Sequence, residues 1–296
     1  MRHLSVILLW LLAGASPVLA AARPDPTPRT AVMSAFAPEL QALEARTIHR
    51  REQVVDGVAF VTGTLEGKPV VLFLSGVSMV NAARTTQLAL DRFRIRRIVF
   101  SGVGGGVDPA LDVGDVVVPD RWAQYLEMTF ARQTTDGFAP PSDGPPNFGM
   151  MYPAPVTIAR PGAAPEHRIW FDVDPALLAA ARKAASGVAL RQCAGPRCLA
   201  APPRIVVGGH GVSGPAFVDN AAFRQYAFAA FKARVLDMES AAVAQVAYQN
   251  HVPFIAYRSL SDLAGGDPGA NQFPLFVKLA SDNSAAAVRS FLRAAP

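Results

Sequence analysis

Arg234-Val-Leu-Asp-Met-Glu-Ser-Ala-Ala-Val-Ala-Gln245 is followed a few residues later by Val252-Pro-Phe-Ile-Ala-Tyr-Arg-Ser-Leu-Ser-Asp262. The first segment reads as a strand end at residues 235–237 running into a buried helix over 239–248. The second reads as a buried strand over 254–260. Glu239 and Asp262 stand at the ends of these two apolar runs. A carboxylate there costs free energy unless it is solvated, paired or used. A helix cap and a loop acid would meet that condition as well as a binding site would, so the surrounding chain has to decide.

Working outward, residues 97–101 read as a strand that runs into Gly102-Val-Gly-Gly-Gly106, and 115–119 as another. Residues 30–36 form a first buried strand. A helix over 38–46 follows, with Pro38 suited to its first turn. Segments 54–64 and 69–74 are expected to pair, with Glu66-Gly67 as the turn. Further helices are expected at 81–93, 175–186, 220–232 and 273–292, and a strand at 205–210. Residues 133–165 are rich in Pro, Gly and Asp and read as a long irregular insertion that covers a site or an interface. Strands alternating with helices predict one α/β domain over residues 31–296, three layers deep, with a central mixed, mainly parallel sheet flanked by helices.

The N-terminus begins Met1-Arg-His, followed by a largely apolar run over residues 4–13 and then Val18-Leu-Ala-Ala-Ala22. A short positive region, an apolar stretch of roughly ten residues and a small-residue exit describe a secretory signal peptide over 1–22. The run falls short of the roughly 20 apolar residues that a membrane span needs. The expected mature protein is secreted or periplasmic and free of the membrane. Residues 23–30 (Arg-Pro-Asp-Pro-Thr-Pro-Arg-Thr) are expected to be a disordered Pro-rich leader. Hydrophobic residues make up 51% of the chain and charged residues 17%, which excludes a disordered protein. The net charge of +5 comes without a dense Lys/Arg cluster, so no nucleic-acid face is expected. Arg92, Arg94, Arg96 and Arg97 read as a solvated helix end.

Cys193 and Cys198 are the only cysteines. In an exported chain they favour a local disulfide pinning a surface loop. A metal site would need further ligands, and the five histidines are not grouped near them. Neither metal nor cofactor is expected. The stretch Ser101-Gly-Val-Gly-Gly-Gly106 lacks the spacing of a dinucleotide or Walker loop. Alone it reads equally as a tight turn or as backbone that lets a ligand approach closely.

Five segments occur in order: Ser75-Gly-Val77, Ser101-Gly-Val-Gly-Gly-Gly-Val-Asp-Pro-Ala-Leu-Asp-Val-Gly-Asp-Val-Val-Val118, Gly214-Pro-Ala-Phe-Val218, Asp237-Met-Glu-Ser-Ala-Ala242 and Arg258-Ser-Leu-Ser-Asp262. Together they resemble the nucleoside phosphorylase/nucleosidase superfamily, in particular methylthioadenosine/S-adenosylhomocysteine nucleosidases, over residues 30–292. Gly76-Val-Ser-Met-Val-Asn-Ala82, Ala216-Phe-Val-Asp-Asn220, the cysteine pair and Leu260-Ser-Asp-Leu-Ala-Gly-Gly266 look like plant bark (vegetative) storage proteins of the same superfamily, a branch that is also exported.

The resemblance implies a role for each matching residue. Asp262 matches the acid that protonates N7 of the departing purine, and Glu39 the acid that activates the attacking water. Glu239 matches the carboxylate that grips the ribose hydroxyls, with Met238 beneath the sugar. Phe217 matches the aromatic that stacks on the base, and the main chain of Val218 its neighbour at the base edge. Phe273 and Phe276 match apolar residues near the 5′ substituent, and Val77 and Val103 line the sugar side. Gly104 and Ser261 complete the implied substrate-binding set. Breaking an N-glycosidic bond builds positive charge on the sugar and negative charge on the base, so an acid and a carboxylate-held water are the groups it needs. Asp262 must then be protonated, which implies a raised pKa in a closed pocket.

Phosphorylases of this superfamily hold phosphate with an Arg and a Ser at positions occupied here by Phe100 and Val103. The loop Ser34-Ala-Phe-Ala-Pro-Glu39 also lacks the Arg they use, and anions need such charge-assisted bonds. The expected function is an exported purine nucleosidase, with a homodimer implied by the resemblance. A non-catalytic storage or nucleoside-binding protein and a phosphate-dependent phosphorylase are the alternatives.

Overall fold

The computed structural model describes residues 25–141, 146–160 and 162–295. The expected signal peptide over 1–22 lies outside them. Twelve strands form the main sheet: β1 (Asp25–Ser34), β2 (Ile48–Val55), β3 (Val58–Leu65), β4 (Lys68–Leu74), β5 (Phe93–Gly106), β6 (Val116–Val118), β7 (Arg121–Gln124), β8 (Trp170–Asp172), β9 (Ile205–Val207), β10 (His210–Ser213), β11 (Ala233–Asp237) and β12 (Phe254–Asp262). Among the described residues six helices accompany them: α1 (Ala37–Glu44), α2 (Met79–Arg92), α3 (Pro175–Ala185), α4 (Ala221–Phe231), α5 (Ser240–Gln249) and α6 (Phe273–Ala294).

The strand order is β8-β7-β10-β11-β5-β1-β4-β3-β2, with β12 pairing β5 and β6, and β9 pairing β6. Around the centre, β4, β1, β5 and β12 run parallel. The pairs β2/β3, β3/β4, β7/β8, β5/β11 and β6/β12 are antiparallel. The sheet is therefore mixed with a parallel core, as expected. Near-continuous apolar runs mark strands covered on both faces. Ala31–Met33, Val70–Leu72, Ile98–Phe100 and Ile255–Ala256 have at most 1% of their surface exposed. Helices α1 and α3 each pack on α6, and α2 packs on α5, which gives the two outer layers.

Several expectations are corrected. The leader is not disordered over its described residues, because β1 begins at Asp25. Its early part pairs with β5 (Asp25↔Phe93, Arg29↔Ile95), whereas β4 joins only at Thr30↔Val70. An open edge tolerates the prolines at 26 and 28, which offer no N–H to a ladder, and Arg29 Nε bonds Asp25 Oδ2 at 2.8 Å. Segment 54–64 divides at the Asp56-Gly57 turn into parts of two strands. Arg94, Arg96 and Arg97 lie at the start of β5 and not on a helix end. The insertion carries short pairings, Met128–Phe130 with Met151–Pro153 and Val156–Ile158 with Glu166–Arg168. Tyr248 on α5 fastens it: its Oη donates to Glu166 at 2.7 Å and accepts from Arg168 Nη1 at 3.0 Å.

The glycine stretch is no tight turn. It continues β5, with Arg258↔Gly102 and Leu260↔Gly104 on one side and Leu236↔Gly105 on the other. A Cβ on Gly102 would fall 2.3 Å from Arg258 Nη1 and 2.7 Å from Glu39 Oε1. The missing side chain makes room for charged groups.

Candidate active site

At the C-terminal ends of the parallel strands β1, β4, β5 and β12 lies a cavity of about 260 Å³. Open α/β sheets place ligands at this end of the strands. The β1–α1 connection supplies Ala35 and Phe36, and the first turn of α1 supplies Glu39. Val77 comes from the β4–α2 connection, and Val103, Gly104 and Gly105 from β5. Residues 236–239 at the β11–α5 junction give Leu236, Asp237, Met238 and Glu239. The end of β12 gives Ser261 and Asp262, the loop after β10 gives Ala216, Phe217 and Val218, and α6 opens with Phe273.

Arg258, in the middle of β12, organises one wall. It is 1% exposed, and such a cation requires partners. Nε lies 2.6 Å from Asp237 Oδ2, Nη2 3.5 Å from Glu239 Oε2 and Nη1 3.8 Å from Glu39 Oε1. The guanidinium also donates to Ser240 Oγ at 2.9 and 3.0 Å and to Val103 O at 3.2 Å. The Phe100 ring stacks beneath it, 4.1 Å from ring centre to Cζ. Asp237 accepts the Ser213 hydroxyl and the Ser240 N–H through Oδ1.

Glu39 is 1% exposed and nearly saturated with donors. Oε2 accepts from Ala35 N at 2.7 Å and Phe36 N at 3.4 Å, and Oε1 from Val103 N at 2.8 Å. Its place in the first turn of α1 lets the helix dipole favour its charge. Glu239 Oε1 accepts from Ser78 N at 2.8 Å. Three carboxylates share one guanidinium, so one of them should hold a proton readily. Burial pushes Glu239 up to about 7 against the pull of Arg258, and the neighbouring Asp237 adds to the rise. Burial also raises Glu39, opposed first by Arg258 and then by the backbone donors.

Asp262 stands apart from this cluster. Oδ1 accepts from Ala264 N at 2.9 Å, and Oδ2 lies 2.9 Å from Ser261 Oγ. Burial raises its pKa, with the Ala264 N–H and the Ser261 hydroxyl opposing. Ser261 Oγ is also 3.3 Å from Gly104 O. A hydroxyl has one hydrogen for these two acceptors, and an Asp262 that keeps its own proton relieves the shortage.

A family model described as the phosphorylase superfamily matches residues 29–293. The chain belongs to the phosphorylase superfamily. Within that superfamily, the 5′-methylthioadenosine/S-adenosylhomocysteine nucleosidase of Geobacillus thermodenitrificans is 33% identical over 265 residues, covering 89% of this chain and 96% of the relative. Bark storage protein B of Populus deltoides is 28% identical over 251 residues, covering 82% of this chain and 79% of the relative. The crystal structure of the 5′-methylthioadenosine/S-adenosylhomocysteine nucleosidase from Neisseria meningitidis, in complex with methylthio-immucillin-A, has 26% identity and a TM-score of 0.67. It covers 90% of this chain and 98% of its own. Both expected resemblances, to nucleosidases and to bark storage proteins, are borne out.

The phosphorylase-superfamily fold brings Glu39, Val77, Val103, Gly104, Phe217, Val218, Met238, Glu239, Ser261, Asp262 and Phe273 to one cavity. Phe276 is the exception. It packs with Val113 and Leu279 and lines a neighbouring cleft. One turn beyond Phe273, α6 has already carried it past the pocket wall. Described residues of the 133–165 insertion do not line the cavity, which leaves an interface as the other role expected for it. Cys193 and Cys198 are disulfide-bonded across a two-residue ribbon. Sequence reasoning gave no role to Arg258 or Asp237. The available signal was a lone Arg inside the apolar run Phe254-Ile-Ala-Tyr-Arg-Ser-Leu260, which a strand buries only with counter-ions.

Proposed function

We propose that the chain is a purine nucleosidase, an N-glycosyl hydrolase that releases free base and sugar from adenosine-type nucleosides of the methylthioadenosine/S-adenosylhomocysteine class. One observation carries the reading: Glu39 and Glu239, tied to Arg258, share a cavity with the separate, buried Asp262. The nucleosidase relatives support it.

The division of labour follows from the two environments. Asp262 keeps its proton and delivers it to N7 as the bond to the sugar breaks. Phe217 stacks on the base, with the Val218 main chain at its edge. Glu239 accepts from the ribose hydroxyls above Met238. Glu39, held rigid by backbone donors, orients the water and takes up its proton. Val77, Val103 and Phe273 offer an apolar surface to the sugar and its 5′ group. Arg258 holds both glutamates in place and offsets the like charges that crowd them.

Water is the nucleophile. Phe100 occupies the space beneath Arg258, and that guanidinium is already committed to three carboxylates. A phosphate dianion would meet acids at this wall with no free cation to hold it.

The same reading makes the protein exported, on the pattern of residues 1–22 and the disulfide. It also makes it a homodimer, as the family resemblance implies. Val77 and Phe217, which line the pocket, are 46% and 56% exposed, and Val80 in the first turn of α2 is 81% exposed, in keeping with a covering partner. The test is a panel of methylthioadenosine, adenosine and inosine, each with and without phosphate. Base release independent of phosphate is expected. Release only with phosphate would assign a phosphorylase, and tight binding of intact nucleoside without turnover a storage or binding protein.

A further inference from the structure

Two loops meet beside the part of the cavity that Phe217 and Phe273 line. One, after β10, carries Phe217, Val218, Asp219 and Asn220. The other, residues 263–272, joins Asp262 to α6. Their backbones touch: Asn220 N donates to Ala264 O at 3.2 Å, and a Cβ on Gly265 would lie 2.3 Å from Asn220 N. Beyond that contact, Asn271 spans the two loops. Its Nδ2 donates to Asp219 Oδ1 at 3.1 Å, while its Oδ1 accepts from Phe273 N at 2.9 Å. One amide therefore ties the Phe217 loop to the first residue of α6. At the same point the Phe217 and Phe273 rings meet edge to face, 5.6 Å apart at 81°. Asp267 braces the second loop from within, accepting from Leu263 N through both oxygens at 3.1 Å.

Phe217 is more than half exposed, so little else packs on it. A ring that must stay in place to stack on a base loses affinity when its support is loose, because the cost of ordering it is then met on binding. Neither Asn271 nor Asp219 lines the cavity itself.

We propose that the Asn271–Asp219 hydrogen bond is a latch: it holds Phe217 against Phe273, and so sets how tightly the base is gripped. Asp219 is a positioning residue that acts through Phe217, whereas Asn271, whose amide also hydrogen-bonds the Asp262 carboxyl, touches the proposed proton donor as well. The inference rests on the proposed placement of the base against Phe217. An N–H held by a carboxylate is among the stronger hydrogen bonds, and the loss of this one is expected to be read as weaker binding.

The experiment compares wild type with Asp219→Leu, Asn271→Ala, the double variant and the conservative Asp219→Asn, whose carbonyl oxygen still accepts. Two quantities are followed: steady-state release of adenine from methylthioadenosine, and calorimetric affinity for adenine. Asp219→Leu should raise KM about tenfold and weaken adenine binding by a similar factor, with kcat within about threefold of wild type, and Asn271→Ala should show the same loss of affinity with a further fall in kcat from its lost bond to Asp262. The double variant should bind adenine no more weakly than Asn271→Ala alone, since the bond that Asp219→Leu removes is already lost in it. Asp219→Asn should restore most of the affinity. Wild-type KM and adenine affinity in the single breaks, with wild type itself active, would overturn the latch alone. A wild-type protein that neither binds adenine nor releases it would overturn the placement of the base and the latch with it.

Discussion

Arg258 Nε lies 2.6 Å from Asp237 Oδ2 with both side chains 1% exposed, and the same guanidinium reaches Glu39 and Glu239. Removing either end of a buried ion pair leaves an uncompensated charge, which costs about 3–5 kcal/mol. Arg258→Met leaves three acids facing one another. Its urea midpoint should fall by that equivalent, and base release should drop more than a hundredfold. Arg258→Lys keeps the charge without the fork that reaches several partners, so it should fall between. Urea denaturation followed by circular dichroism, beside an adenine-release assay, checks both.

The raised acids give stability a definite dependence on pH. Glu239 moves from 4.5 to about 7, and Glu39 and Asp262 also move upward. Between pH 4.5 and 7 the folded chain holds protons that the unfolded chain has released. Stability is therefore greatest at the low end of this window, falls as pH rises through it and levels off above. Asp25 and Glu66 shift downward, so their contribution is lost on the acid side instead, below the window. Unfolding free energy measured by urea should decline by roughly 2–3 kcal/mol across the window. Glu239→Gln should flatten that slope. An unchanged slope would place the proton elsewhere.

Phe217→Ala removes the ring that faces Phe273 across the pocket mouth. Stacking of a base on an aromatic ring contributes about 1–3 kcal/mol. KM for methylthioadenosine should rise at least about fivefold, with kcat changed far less. Equal losses in both parameters would mean that the ring serves the transition state and not the ground-state base.

The Cys193–Cys198 bond closes a small loop, with a sequence separation of five. Short loops remove modest chain entropy, about 2 kcal/mol. Ala194 and Leu199 flank the Val113, Phe276 and Leu279 cluster and not the cavity. The Cys193→Ser/Cys198→Ser double variant should lose roughly that stability while keeping adenine release within about threefold of wild type.

Much of this architecture was legible in the chain. Buried parallel strands show as unbroken apolar runs, which is why β1, β4, β5 and β12 were readable from their residues. β2 was not, since Ile48-His-Arg-Arg-Glu-Gln-Val-Val55 is exposed at nearly every position and has no apolar alternation to betray it. Charged edge strands of this kind resist pairing with other chains. The early part of β1 was hidden by its prolines. The site acids were found through ordered motifs, but periodicity could not show that Glu39 from α1 and Glu239 from the β11–α5 junction would meet at Arg258. That meeting depends on long-range pairing of β5 with β12 and β11. Phe276 was misplaced because a motif match gives a position along α6 and not the side of the wall on which a ring falls.

The proposed hydrolysis rests on a protonated Asp262 opposite a carboxylate-held water. The most direct measurement is adenine released from methylthioadenosine in phosphate-free buffer, wild type against Asp262→Asn, with folding of both verified by circular dichroism. The wild type should turn over at the same rate with or without added phosphate, and the variant should fall by at least about a hundredfold. No release by the wild type, or equal rates in the two proteins, would contradict the account.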